Sequence, residues 1–349
     1  VVPSASELRG VRLEPRPGGV LVHFGPAIEG SRAKGPMLTT PPLSVETGYP
    51  ARDMSRDLGG WLRAMGITSV GRFNESCVSG QVDELVRVSE GFHEKNIVRV
   101  ADAVRDSSSR LVMIAGPSSS GKTTFIRRLK VQLEVNGIVP VHLSLDDYYV
   151  DRDRTPRDDA GELDFESVDA LDLRLLHDQV TRLLAGERVQ LARFDFLTGK
   201  SLPSGGHLVA LTPSNVLLVE GLHALSPAVR ERCGPGFRVF VHPATALSFD
   251  RLSAVLPEDV RLLRRIVRDR HRRGYTARDT IARWPSVRRG EERHVFPFAA
   301  QADFVFDTSL VYEVAVLRIF AERYLLEVPP DTAEFVTAHR LRQMIDRFV

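Results

Sequence analysis

Lysine is scarce in this sequence. Of 47 basic side chains only five are lysine (Lys34, Lys95, Lys122, Lys130 and Lys200), and the other 42 are arginine. Cysteine is scarcer: Cys77 and Cys233 are the only two among 349 residues. That is too few for a disulfide framework or a thiolate metal cage, so a reducing, cytoplasmic compartment is expected. An excess of one charge sign is also missing. The 47 basic and 45 acidic residues leave a net charge of +2, whereas a nucleic-acid coat or a polybasic membrane anchor needs a sustained positive surplus. The longest apolar runs, such as 111–115 and 216–219, fall far short of the roughly 20 residues that cross a bilayer. Nothing near the start has the pattern of a signal peptide.

What is present is a globular composition, 43% hydrophobic, in a chain long enough for one large domain and a small one. Residues 1–50 are rich in proline and glycine, with one alternating strand expected over 19–24. From 54 to 106 the period turns helical: Leu58, Trp61, Leu62 and Met65 share a face, and Leu85, Val88, Phe92, Ile97 and Val100 continue it. Two or three helices are therefore expected, as an adaptor over 51–108. A strand–loop–helix series then begins, with strands at 111–115, 139–145, 216–219, 237–241 and 304–306 and a helix over 122–135. This alternation predicts an α/β fold over 109–349, a mostly parallel sheet with helices on both faces.

Gly116-Pro117-Ser118-Ser119-Ser120-Gly121-Lys122-Thr123 fits G-x-x-x-x-G-K-[ST]. It follows an apolar strand and opens a helix, the context in which backbone N–H groups and a helix dipole bind phosphate; an ordinary serine-glycine turn is the competing reading. Lys122 is then placed for the β- and γ-phosphates and Thr123 for Mg²⁺, with Thr124 beside it in the helix's first turn. Asp146 emerges where the second strand ends, at the carboxyl edge where such sheets bind ligands, and is the candidate base and metal-positioning group; Asp147 is its rival. Glu220 closes the strand over 216–219 and is the second candidate for the Mg²⁺ shell.

Seven arginines fall within residues 261–273. Arg261, Arg264, Arg265, Arg268 and Arg272 lie at i, i+3, i+4, i+7 and i+11, one helix face. Three readings stand: a lid that neutralises a transferring phosphoryl group, a solvated face, and a nucleic-acid surface. Beside a phosphate loop the lid is favoured, within 258–298, with Arg265 and Arg268 as catalytic candidates.

The ordered set of this loop, Ser144-Leu145-Asp146-Asp147-Tyr148-Tyr149, Asp164-Phe165-Glu166-Ser167, Val219-Glu220-Gly221 and the arginine segment resembles the uridine kinase and phosphoribulokinase family of P-loop kinases over about 111–317. The resemblance implies a P-loop NTPase-type fold, ATP or GTP with Mg²⁺, and a small-molecule alcohol as acceptor. Asp146 would activate a nucleoside 5′-hydroxyl, Phe165 and Glu166 would hold the ribose, and Arg265, Arg268 and Arg273 would be lid arginines. Tyr149 and Phe194 would complete the acceptor site. The family reads a pyrimidine base with a tyrosine hydroxyl and a histidine, but here Phe194 and Gly199 occupy those positions, and Tyr275 replaces an arginine.

Within the family the sequence is most similar to a subgroup in which the kinase follows a region like part of threonyl-tRNA synthetase. Residues 91–95, 135–137, 151–158 and 284–292 carry that similarity, and residues 1–50 match the end of the synthetase-like region. A preceding domain is thus expected to be missing from the displayed chain. The leading expectation is a uridine or cytidine kinase. The alternatives are a kinase acting on a sugar phosphate, a vitamin precursor or a modified nucleoside, and a nucleotide-gated, RNA-associated regulator. A homo-oligomer is compatible with each; a membrane partner is not expected.

Overall fold

The computed structural model describes residues 11–16, 19–24, 54–157, 161, 163–244, 247–250 and 253–349, with side chains from residue 58 onward. Residues 1–45 and 46–349 are separate units. In the first, β1 (Val11–Arg16) and β2 (Gly19–Phe24) pair antiparallel, Val11 opposite Phe24 and Arg16 opposite Gly19. The strand expected over 19–24 therefore has a partner that sequence reading missed, because Pro15 in a proline-rich stretch looked like loop. An edge strand tolerates proline, since its N–H side needs no partner. The synthetase-like reading of residues 1–50 otherwise lies outside the described residues.

The second unit runs in order α1 (Met54–Ala64), α2 (Val70–Val78), α3 (Val82–Asp106), β3 (Leu111–Ala115), α4 (Lys122–Val135) and β4 (Val139–Ser144). Then come α5 (Leu173–Leu184), β5 (Val189–Gln190), β6 (Arg193–Asp195), β7 (Lys200–Leu202), β8 (Leu208–Val209), β9 (Asn215–Glu220) and α6 (Pro227–Cys233). The chain ends with β10 (Phe237–His242), α7 (Pro257–Arg272), α8 (Ala277–His294), β11 (Phe304–Asp307), α9 (Glu313–Leu326) and α10 (Glu334–Ile345). Five strands form one parallel sheet in the order β11-β10-β3-β9-β4. The short strands pair antiparallel as β5–β8 and β6–β7.

All five residues of the central strand β3 are buried, as expected of a strand covered on both faces. Leu111, Met113 and Ala115 join α5 and α6 through Leu176, Val180, Leu183 and Val229 on one face. Val112 and Ile114 meet α3 and α4 on the other, against Ile97, Val100, Leu129 and Leu133. Helix α3, assigned on sequence to an adaptor, thus packs on the sheet itself. A third core joins α1, α2 and α7–α10, and Leu262, Leu263 and Ile266 of α7 lie in it, each no more than 1% exposed. Full burial of each such side chain contributes about 1.5–3 kcal/mol. The arginine segment is therefore one face of an anchored helix. No described helix is long and apolar enough to cross a membrane.

Candidate active site

Chain order takes β3 to β4 on one side, then β9 back beside β3 and β10 to the other side, so the sheet reverses direction around β3. Ligands of open parallel sheets bind at such a reversal, outside the carboxyl ends of the strands. Gly116 leaves β3 there, against β10. A Cβ on it would stand 2.0 Å from the Val241 carbonyl oxygen, so no other residue fits. Gly121 has φ +97°, left-handed, directly before α4. The loop between them leads into the positive end of α4, a feature that favours anions; within it the Ser118 N–H is held by Glu291 and the Ser120 N–H by the Pro117 carbonyl. The Lys122 ammonium reaches back over the loop, donating to the carbonyls of Gly116 (2.7 Å) and Pro117 (3.1 Å). Thr123 and Thr124 are exposed on the first turn.

Ser144 at the end of β4 lies opposite Glu220 at the end of β9, which in turn lies opposite Ile114 of β3. The Ser144 hydroxyl donates to Glu220 Oε1 at 3.1 Å and accepts from the Asp146 backbone N–H at 3.3 Å. Asp146 and Glu220 therefore stand at two adjacent strand ends, and Lys122, the first residue of α4, is near enough for both charges to act on it. Asp146 remains solvent-accessible on the cleft wall, yet enough protein surrounds its carboxyl that desolvation, and then the charge of Glu220, raises its pKa against Lys122, Arg273 and Arg268. Desolvation likewise lowers the pKa of Lys122, opposed by Glu220 and Asp146. Both groups move toward neutrality, so desolvation outweighs their mutual attraction.

Among the described residues no group of three or more His, Cys, Asp or Glu side chains could hold a metal ion alone. Thr123, Glu220 and Asp146 offer a hydroxyl and two carboxylates. These are hard oxygen donors that suit Mg²⁺, which takes one or two protein carboxylates and completes its shell with water and phosphate oxygens.

Past Asp146 in the chain, Tyr149 is buried and its hydroxyl donates to the Phe165 carbonyl at 3.1 Å. Its ring meets Phe165 and Phe194 edge to face at 5.9 and 5.7 Å. Phe194 is itself buried, its N–H on Asp147 Oδ1 at 3.3 Å. Asp147 thus secures the β6–β7 hairpin, whereas Asp146 is the carboxylate surrounded by Lys122, Glu220 and the arginines. Glu166 has one buried carboxylate oxygen without a hydrogen-bond partner. Desolvation, then the nearby Glu291, pushes its pKa up to about 7, against Arg265 and Lys122. The place a side chain at Gly199 would take is filled by Arg152, whose Nη2 donates to the Phe196 carbonyl at 2.7 Å.

The arginine face of α7 divides in two. Arg261 and Arg264 are committed to the phosphate loop's main chain. Arg261 Nη1 donates to the Ser118 carbonyl (3.2 Å) and to both oxygens of Glu291 (2.8 Å each). Arg264 holds the carbonyls of Ser120 (3.1 Å) and Thr308 (2.9 Å) and pairs with Glu313. Arg265, which donates to Ser118 Oγ at 2.8 Å, gathers with Arg268 and Arg273 around the buried Asp269. Arg268 and Arg273 are close enough to act on Asp146; Arg272 points to solvent. The roles of Arg261, Arg264, Glu291 and Thr308 were missed on sequence. One signal existed for Glu291: it extends the buried face of α8 marked by Ile281, Trp284 and Val287.

Also missed was His223, three residues past Glu220. It is 2% exposed, and neither ring nitrogen has a hydrogen-bond partner. Burial, then the charges of His294 and Lys122, lowers its pKa to about 4.

The family model described as phosphoribulokinase / uridine kinase family matches residues 111–315. A uridine kinase of Chloroflexus aggregans is 29% identical over 217 residues, covering 60% of this chain and 94% of that protein. A uridine kinase of Chlamydia pneumoniae is 29% identical over 197 residues, covering 56% and 80%. Among solved structures, a possible uridine kinase from Bacillus stearothermophilus shares 22% identity and superposes with a TM-score of 0.37 over 56% of this chain and 88% of that one.

Proposed function

The chain belongs to the phosphoribulokinase/uridine kinase family, phosphotransferases with an alcohol as acceptor, and from that premise we propose that it transfers the γ-phosphoryl group of ATP or GTP, with Mg²⁺, to the 5′-hydroxyl of a pyrimidine nucleoside. The observation that carries this reading is the convergence of Asp146 and Glu220, at the ends of adjacent parallel strands, on Lys122 at the start of α4.

In this reaction the acceptor oxygen bonds to the γ-phosphorus as the bond from that phosphorus to the β–γ bridging oxygen breaks. The acceptor hydroxyl's proton goes to Asp146. The positive end of α4 and Lys122 bind the phosphates, and Arg265, Arg268 and Arg273 offset charge on the transferring group. Thr123, Glu220 and Asp146 would hold Mg²⁺, which when bound shields the phosphate oxygens' charge. Glu166 would receive hydrogen bonds from acceptor hydroxyls. An acceptor screen with purified protein, ATP and Mg²⁺, read by ADP release, tests the reading: uridine and cytidine should lead, and turnover on neither removes it.

A different alcohol as acceptor is favoured by one observation, the absence of a hydroxyl at Phe194 and of a side chain at Gly199, where Arg152 lies instead. Sites built to pair a polar group lose large discrimination when that group is gone. An RNA-associated role draws little support from the arginine face, since Arg261, Arg264, Arg265 and Arg268 have partners inside the protein.

A further inference from the structure

We infer that Glu291 is a positioning residue that ties the acceptor side of the cleft to the phosphate loop: its buried carboxylate fixes the Ser118 amide, while the adjoining Gly290 fixes where Glu166 stands. The inference rests on the proposed role of Glu166 at the acceptor.

Glu291 is wholly buried in α8. Its Oε1 accepts the Ser118 N–H at 2.6 Å, a charge-assisted bond to the loop's own backbone. The charge is matched by Arg261, which also holds the Ser118 carbonyl and stacks against Trp284 and Phe296, 5.2 and 5.8 Å from the ring centres. Both main-chain polar groups of Ser118 are thus gripped by one ion pair. One residue earlier, Gly290 presses on the acceptor loop: a Cβ there would stand 2.3 Å from Glu166 Cβ. Successive residues of one helix therefore touch the nucleotide side and the acceptor side of the cleft. A rigid helix with these two contacts sets the separation on which in-line transfer depends, and small misplacement of reacting groups lowers rate steeply. Glu291 also faces Glu166 electrostatically, together with Arg265, Asp146 and Lys122.

The experiment uses the whole chain and two variants. Glu291→Asp keeps the charge and withdraws it from Ser118 by one methylene; Gly290→Ala adds a methyl against Glu166. Melting by circular dichroism reports folding, the fluorescent N-methylanthraniloyl derivative of ADP reports the nucleotide side without turnover, and steady-state kinetics with uridine, or with the acceptor a screen identifies, report the other side.

Glu291→Asp should weaken the ADP derivative at least fivefold and raise acceptor KM at least fivefold. Gly290→Ala should raise acceptor KM at least fivefold with ADP binding within twofold. Folded variants with both constants unchanged, or tighter ADP binding in Glu291→Asp, overturn the inference. If Glu291→Asp does not fold, the split between KM and ADP binding in Gly290→Ala decides. If the wild type uses no nucleoside, the functional reading fails separately, and the ADP arm still tests the grip on Ser118.

Discussion

Arg152 lies across Gly199, so closely that a Cβ on the glycine would stand 2.7 Å from Arg152 Nε and 2.8 Å from its Cζ. The two are also joined by the Arg152 N–H on the Gly199 carbonyl at 2.8 Å, and Gly199 has φ +71°. Placing an imidazole at this position therefore requires Arg152 to move as well as the backbone to accept strain. Gly199→His should lower stability by about 1–2 kcal/mol in thermal melts. It should raise acceptor KM without changing nucleotide affinity, whereas unchanged melting would mean the hairpin absorbs the side chain.

Asp146→Asn keeps size and removes the proposed base. Turnover should fall about 10²–10⁴-fold, the usual range for a lost general base, while a nucleotide-binding assay changes little. A variant with near-normal turnover would pass the role to another group.

Glu166 predicts a pH dependence. Its pKa, raised from 4.5 to about 7 chiefly by burial, means that the folded protein keeps a proton which the unfolded chain releases between those values. Stability attributable to this group is therefore lost as pH rises from 4.5 through 7. Glu166→Gln should melt above the wild type by a margin that widens from pH 5 to pH 8, reaching roughly 2–3 kcal/mol. On the proposed role, in which ionised Glu166 accepts hydrogen bonds from the acceptor, wild-type kcat/KM for the acceptor should rise with pH through about 7.

Arg264 and Glu313 form a mostly buried pair, 14% and 17% exposed. Removing one partner leaves the other charge uncompensated. Arg264→Ala should cost about 2–4 kcal/mol, measured by denaturant unfolding, and should also weaken nucleotide binding by freeing the Ser120 carbonyl.

Much of this site was legible in the sequence. The strand–loop–helix around Gly116–Thr123 carries both a residue pattern and a period, and the helix spans residues 122–135 as expected. Asp146 and Glu220 could be placed because an acid that ends an apolar strand must emerge at the sheet's carboxyl edge. The spacing of Arg261, Arg264, Arg265 and Arg268 gave their common face, but not its surroundings, because a solvated basic stripe and a buried one have the same period. Glu291 falls on the apolar face of α8, but its partner Arg261 lies thirty positions away in sequence, a pairing no local pattern records. The fit of Arg152 over Gly199 depends on a loop meeting a hairpin, which no local pattern records.

Phosphoryl transfer to a nucleoside hydroxyl can be followed in its products. The most direct test is phosphorus NMR of the products formed from ATP, Mg²⁺ and uridine by the wild type and Asp146→Asn. A uridine 5′-monophosphate resonance should grow with ADP in the wild type and be lost, or slowed at least a hundredfold, in the variant. ATP consumption with no phosphorylated nucleoside, or equal product from both proteins, would contradict it.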